Sequence, residues 1–412
     1  MIDILFIIKP IIDMLWKYQI FDILLLGLLA LYLLPRIFHA KLSIASIFLV
    51  IFSIVLFKSF LVKVDSLTAS IFLKIISTVL IFFAAQFNKN IDKTLNYLSI
   101  SYVIPVFFYL FFLITGKGYI YWGSVKTFVG PYYYKTDLAI AVILSVIFLR
   151  KVLFFSNNKL LLFLTRLYIF VLAPIFILLA NSRAMTVIYG IFFIILFIES
   201  AQYKPRKQYN KRRKLGYKLK RNILIFTSII IVAGGYIIYT KEFQSSNSLS
   251  ISLNKDKIFS LENTQGRSGI WTTITENFYK SDFQNIMFGH YINKEYELNT
   301  YSHQDAHNTY LKILVTTGFF GLTFYILFNL FIFRRIRFLY KRSSDSESSR
   351  FIINSILMVT TFFILSGLTQ SNIIYTQSSW YAFYFMGLLY NSTILREKES
   401  IEIEKSSKKD IA

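Results

Sequence analysis

The sequence predicts an all-α polytopic membrane protein with 11–12 transmembrane helices and one large extracytoplasmic loop. Three observations predict it. Of 412 residues, 55% are hydrophobic and only 16% charged, with a mean hydropathy of +0.54, whereas a soluble domain carries about 25% charged residues. The apolar residues fall in blocks of about 20, the length that spans a bilayer as a helix; a soluble parallel sheet gives runs of about 4–8. The basic residues gather in a few connecting segments, as the charge asymmetry of membrane loops requires.

Apolar blocks place helices near 20–35, 42–62, 66–87, 97–115, 137–155, 160–181, 184–200, 223–239, 309–333, 351–370 and 378–394. Residues 1–18 add a twelfth span or lie in the interface, because Lys9-Pro10 and Asp13 interrupt them. The same charges, with no small-residue cleavage site after them, argue against a cleaved signal peptide. Segment 201–222 carries ten lysines and arginines and no acid, which makes it a cytoplasmic loop. Loop 334–350, with Arg334, Arg335, Arg337, Lys341, Arg342 and Arg350, is also basic. Segment 240–308, between the helices these loops flank, is then extracytoplasmic. The expected organisation is therefore N-terminal transmembrane helices over 1–239, the outer loop over 240–308, C-terminal transmembrane helices over 309–394 and a cytoplasmic tail over 395–412. Counting back places 116–136 and the junction at Asn181-Ser182-Arg183 outside as well.

The composition narrows the chemistry. There are no cysteines, so thiolate nucleophiles, disulfides and cysteine metal sites are excluded. Four histidines, His39, His290, His303 and His307, make zinc chemistry unexpected; neither a metal nor another cofactor is expected. A net charge of +23 suits an anionic partner, but topology accounts for most of it, and no nucleic acid is expected as a partner.

Three groups converge on the outer side. They are Ser182-Arg183-Ala184 at a helix start, Gly266-Arg267-Ser268-Gly269-Ile270-Trp271 in the large loop, and His307-Asn308 opening the next helix. Asp305 or Asn308 can cap that helix, which places His307 in its first turn, where the helix dipole disfavours imidazolium. Gly318 and Gly321 thin one face of the helix and allow close packing. Taken singly, each residue has a plain structural reading: Arg183 as an interfacial anchor, Arg267 as a solvated charge, His307 as a structural histidine, Trp271 and Tyr132, Tyr133 and Tyr134 as an aromatic belt, and His290 and His303 as loop residues. Lys74 and Arg166 fall inside predicted helices, where a charge is a functional candidate. Arg166 is near enough to the inner end to snorkel; Lys74 has no such account.

The stretch Ala306-His307-Asn308-Thr309-Tyr310-Leu311 running into Gly318-Phe319-Phe320-Gly321 resembles the signature of O-antigen ligases and polymerases, in which His-Asn is followed after nine residues by Gly-x-x-Gly. Ser182-Arg183 and Arg267-Ser268 with Ile270-Trp271 resemble that family's two other marked positions. Gly130 to Ala139, containing Lys135, resembles its weaker glycine-to-alanine motif but lacks the Asn-Pro often found there. The resemblance covers roughly 120–330. It implies a metal-independent glycosyltransferase on a family-C-like helical scaffold in the bacterial cytoplasmic membrane, with its site on the extracytoplasmic face. The donor would be a glycan on a polyprenyl diphosphate and the acceptor a glycan hydroxyl, with membrane lipid and other polysaccharide-assembly proteins as further partners. His307, Arg183 and Arg267 would be catalytic, and Arg183, Arg267, Trp271, Lys135 and Asn308 would bind substrate. Asp305 is the alternative base.

The chemistry agrees with these residue types. A departing diphosphate develops negative charge, so the site needs cations placed where that charge appears, and arginine binds phosphate oxygens bidentately. The acceptor hydroxyl needs a base, and histidine, with a reference pKa of about 6.5, is largely neutral at pH 7. Three functions fit: a polymerase of surface-polysaccharide repeat units such as capsule or O-antigen, a ligase moving a finished glycan to a lipid or protein, and a lipid-linked oligosaccharide flippase. A transporter concentrates charge at the bilayer midplane and often shows repeated halves, which argues against the flippase. Polymerase is preferred to ligase because a ligase acceptor requires a specialised envelope.

The topology is testable directly, since the chain has no cysteine of its own. A cysteine at position 260 is expected to react with an impermeant thiol reagent on intact cells, and one at position 210 only after permeabilisation. The reverse pattern would invert the topology.

Overall fold

A computed structural model describes residues 2–15, 20–33, 35–36, 39–40, 42–88, 90–122, 125–202, 267–300, 302, 305–342 and 347–391. The expected helix at 223–239, the basic loop beyond Gln202, the outer loop before Arg267, His303 and the tail at 395–412 lie outside these residues. The chain is an all-α multi-pass membrane protein. Among the described residues seven helices are long and apolar enough to cross a bilayer: Ile44–Val62, Ser66–Ala85, Ile91–Thr115, Lys135–Phe155, Lys159–Leu179, Thr309–Lys341 and Ser348–Gly367. The chain divides into two compact units.

The first unit comprises Met1–Leu5, Ile20–Lys93 and Ser252–Ala412. It holds α2 (Ile20–Leu33), α3 (Ile44–Val62) and α4 (Ser66–Ala85). Ser43 and Asp65 cap α3 and α4, accepting from the amides of Ser46 and Thr68. The chain from Thr94 to Ile251 belongs to the second unit. The first unit then resumes with α11 (Arg267–Tyr279), α12 (Phe283–Phe288), α13 (Lys294–Leu298), α14 (Thr309–Arg342), α15 (Glu347–Gly367) and α16 (Thr376–Leu388). Helix α14 lies along α3, and α16 along α4. The second pairing is stitched by polar side chains: Trp380 Nε1 donates to Ser77 Oγ at 2.8 Å, and Thr78 Oγ1 lies 2.9 Å from Ser379 Oγ. Such bonds suit an apolar setting that offers no water to compete.

Expected as one helix ending near 333, α14 is broken at Gly318, whose φ is 66° and ψ −172°. The break frees carbonyls that the α-helical ladder would otherwise use. The backbone amide of His290 donates to Val315 O at 2.9 Å, and Ser59 Oγ donates to Thr316 O at 2.5 Å. Lys58 Nζ donates to Gly289 O at 2.8 Å. Gly318 thus does more than thin a helix face: it opens α14 so that the chain just after α12 hydrogen-bonds into it. Beyond the break the helix continues to Arg342, so Arg334, Arg335 and Arg337 ride on helix rather than loop. Arg335 lies over the rings of Phe338 and Tyr390 at 5.3 and 5.7 Å.

The second unit comprises Phe6–Gln19 and Thr94–Ile251. Most of α1 (Ile2–Met14) belongs to it. At 13 residues α1 is short of a span, and the charges that made 1–18 ambiguous pair with each other: Lys9 and Asp13 form an i,i+4 ion pair with both side chains almost wholly buried. Helices α5 (Ile91–Ser101) and α6 (Val103–Thr115) come next, α5 starting in the first unit. The connection at 116–136 contains a hairpin that the apolar pattern does not predict, β1 (Tyr119–Trp122) paired antiparallel with β2 (Val125–Phe128). Helices α7 (Lys135–Phe155), α8 (Lys159–Leu167), α9 (Ala173–Leu179) and α10 (Arg183–Gln202) complete the unit. A π-turn at Tyr168–Leu172 joins α8 to α9 just before Pro174; the proline has no amide to continue the ladder, and Tyr189 Oη donates to the Ile169 carbonyl at 2.9 Å.

Gly318→Ala is expected to lower the thermal midpoint of the detergent-solubilised protein, by about 2 kcal/mol or more in stability, because φ > 0 strains a side chain there. Its Cβ would also lie 2.4 Å from the Met287 carbonyl. Gly190→Ala, whose Cβ meets nothing within 4 Å, is the control and should leave the midpoint unchanged or raised.

Candidate functional site

The site is built in the first unit from three short elements and the start of α14. Helix α11 buries Ile270, Ile274 and Phe278, spaced four residues apart on one face. They pack with Leu298, Ala306, Leu314 and Val315. Each fully buried side chain of this size contributes about 1.5–3 kcal/mol, so the cluster fastens α11 and the 305–308 turn onto α14. Trp271, at the edge of this cluster, donates from Nε1 to the Ala306 carbonyl at 2.8 Å. Its polar edge is therefore spent on holding the backbone next to His307 rather than on the bilayer interface.

His307 departs from the expected position. It lies before the helix, not in its first turn, in the left-handed region with φ 48°. Asn308 is the cap: its Oδ1 accepts from the amides of Tyr310 at 2.9 Å and Leu311 at 3.0 Å. Its Nδ2 donates to Leu368 O at 3.1 Å, so both ends of the amide are engaged in structure. Asp305 does not cap. Its Oδ2 accepts from the His307 backbone amide at 3.2 Å and from Ser371 Oγ at 2.6 Å, and its Oδ1 accepts from Lys312 Nζ at 3.1 Å. The Thr309 amide and hydroxyl both donate to Gln370 O, fastening the turn after α15 to the start of α14.

Sequence reasoning passed over Lys312, which lies inside the predicted helix as Lys74 and Arg166 do in theirs. It is 2% exposed and forms ion pairs with Asp305 and with Glu295, itself fully buried on α13. A charge four residues into an apolar helix is the signal that finds it.

The electrostatics of the site are set by burial and these partners. Burial pushes the Asp305 carboxyl up, but the Lys312 ammonium, the Ser371 hydroxyl and His307 more than reverse this and hold it at about 2. Burial lowers the pKa of His307; Asp305 opposes that, and the cations Arg267 and Lys312 add to it. The dipole of α14 is not needed to explain a neutral ring. Burial also lowers Arg267, with Tyr375 and Asp305 pulling it back, and a guanidinium stays charged. Arg267, Asp305, His307, Lys312 and Tyr375 thus share one electrostatic neighbourhood. Among the described residues Arg267 forms no ion pair. His307 Nδ1 is buried without a hydrogen-bond partner and lies 3.7 Å from Asp305 Oδ2.

Arg183 opens α10 and Lys135 opens α7, both in the second unit. Tyr132 is buried, its hydroxyl 3.1 Å from that of Tyr109, so it is not part of an aromatic belt, while Tyr133 and Tyr134 are exposed. His290 meets Ser281, Nε2 to Oγ at 3.0 Å.

Trp271→Phe keeps the ring and removes the donor. It is expected to cost about 1 kcal/mol in stability, read as a lower thermal midpoint in detergent. For Asp305 the folded pKa, about 2, lies below the ordinary 3.8. Its contribution is then complete above about pH 4 and is lost as pH falls toward 2. Asp305→Asn should flatten that part of the acid-unfolding profile.

Residues 168–326 match the family model described as O-antigen ligase. No curated protein matches the chain. The matched segment contains Arg183, Arg267 and the His307-to-Gly321 stretch. Through this segment the chain is similar to the O-antigen ligase and polymerase superfamily, in agreement with the resemblance carried by the His307-to-Gly321 stretch.

Proposed function

We propose that the chain transfers a glycan from a polyprenyl-diphosphate donor to a hydroxyl of a second glycan at the outer face of the bacterial cytoplasmic membrane, polymerising repeat units of a surface polysaccharide without a metal. The observation that carries this reading is a half-buried arginine without an ion-pair partner among the described residues, in the same neighbourhood as a neutral histidine, on a segment that matches the O-antigen ligase family.

In this reading Arg267 binds the donor diphosphate and stabilises the negative charge that grows as the bond from anomeric carbon to phosphate oxygen breaks. His307 accepts the proton of the acceptor hydroxyl as its oxygen attacks that carbon. Diphosphate departs unprotonated, so no general acid is required. Asp305 is a poor base, with a low pKa and both oxygens engaged. Arg183 is proposed as a second diphosphate ligand on its sequence motif alone, and Lys135 as a substrate contact on the same kind of ground. The ligase reading, which the description of the matched family favours, differs only in the acceptor.

The test is transfer in vitro between purified lipid-linked glycans. His307→Ala is expected to lose about 10²–10⁴ in rate, the usual contribution of a general base, while still binding donor. Wild-type activity should fall as pH drops below the ordinary histidine value of 6.5, because protonation removes the base. Arg267→Ala should weaken donor binding, and Arg267→Lys should only partly restore it. Normal turnover in His307→Ala would refute the assignment. A ladder of products marks a polymerase, and a single addition marks a ligase.

A further inference from the structure

Glycan transfer by Arg267 and His307 leaves one group unused, the buried ion cluster behind His307. Lys312 on α14 lies between Glu295 on α13 and Asp305 on the turn. An ammonium and two carboxylates together carry one net negative charge, and the carboxylate on the His307 side is that of Asp305. Its Oδ2 holds the His307 amide at 3.2 Å and stands 3.7 Å from ring Nδ1. That spacing is long for a hydrogen bond, and catalytic contacts of this kind commonly tighten when substrate binds. His307 is also fixed from both sides, through the Trp271 bond to Ala306 and the Asn308 cap. The charged groups around the imidazole are Asp305 beside it, Arg267 from α11 and Lys312 from α14. Glu295 stands behind Lys312, and the Tyr375 hydroxyl lies near Arg267.

We propose that Lys312 is a positioning residue for His307, acting through Asp305: it keeps that carboxylate ionised and aimed at Nδ1, so that the ring offers Nε2 to the acceptor and the imidazolium it becomes faces a negative charge. The inference rests on His307 being the base. The acceptor O–H bond breaks, an N–H bond forms at Nε2, and the electron pair of the glycosyl bond leaves with the diphosphate. The imidazolium then returns its proton to solvent. Without Lys312, two buried carboxylates would stand together with no cation between them, and one would take up a proton. That proton would be shared by Glu295 and Asp305 as a coupled pair, and Asp305 would also lose the ammonium that aims it, so its opposition to the burial that depresses His307 would weaken.

The experiment is an NMR titration of the histidine-labelled protein in detergent. With four histidines in the chain, the His307 signal is assigned by its absence in His307→Ala. In Lys312→Met the His307 pKa is expected to fall. A cation acting on the ring directly would give the opposite, so a rise in pKa, or no change, overturns the proposal. Lys312→Gln, which can still hydrogen-bond a carboxylate, is the second variant where methionine does not fold, with the same two outcomes. Asp305→Asn should also lower the His307 pKa, and an unchanged value overturns the proposed route. In transfer assays the Lys312 variants should lose about tenfold or more in kcat, part of the range a general base supplies, with KM for the lipid-linked donor little changed. A loss confined to KM would count against the proposal. The titrations are read on resting protein, so active His307→Ala would sink the base assignment while leaving the Lys312 coupling to be judged on its own.

Discussion

The ion pairs that Lys312 makes with Glu295 and Asp305 are the contact on which the rest of the site depends. Burying an ammonium is costly unless it is paired and hydrogen-bonded, and here the partners come from two separate pieces of chain, α13 and the turn before α14. Their cost is met only when all three are assembled. The cluster therefore ties the segment before α14 to that helix at one place, and His307 is the next residue but one after Asp305. The backbone of that histidine is strained, and it is held by the same carboxylate and by the cap at Asn308.

The break at Gly318 is the second tie. A continuous helix would keep the carbonyls of Val315 and Thr316 for itself. Once the ladder opens, His290 and Ser59 take them, and the α12 end comes close enough that a Cβ at Gly289 would lie 2.2 Å from the Thr316 carbonyl. Two glycines, Gly289 and Gly318, are thus needed for one approach of backbone to backbone. Together with the apolar face of α11 they give the chain from Arg267 to Asn308 three independent fastenings to α14: an ion cluster, a backbone junction and a hydrophobic seam. A base and a cation meant to act on one bond must hold their separation closely, and loops alone rarely do that.

Much of this was legible from the residues. Apolar blocks near 20 residues gave most helices within a few positions, because bilayer thickness imposes the length regardless of packing. Arg267 and His307 stood out for their types and spacing, and they do share one neighbourhood. The hairpin at 119–128 went unseen since its strands are four residues each, too short for an alternation to register. Lys312 was passed over although a charge four residues into an apolar helix was there to be read; its pairing with Glu295 and Asp305 was not, because those partners lie on other pieces of chain.

The sequence by itself determined the membrane class, the positions of most spans and the residue types that can handle a diphosphate and a hydroxyl. Those properties are local, set by composition and by the period of the helix. The tertiary structure alone decided that Asp305 is an ion-pair partner and not a cap, that His307 precedes its helix, that Gly318 opens a helix it was expected to thin, and that Trp271 braces the backbone beside the histidine. Each of these depends on a partner far away in the chain, such as Ser371 for Asp305 or Ser59 for Thr316. Partners of that kind are chosen by packing, and nothing in the local pattern records them.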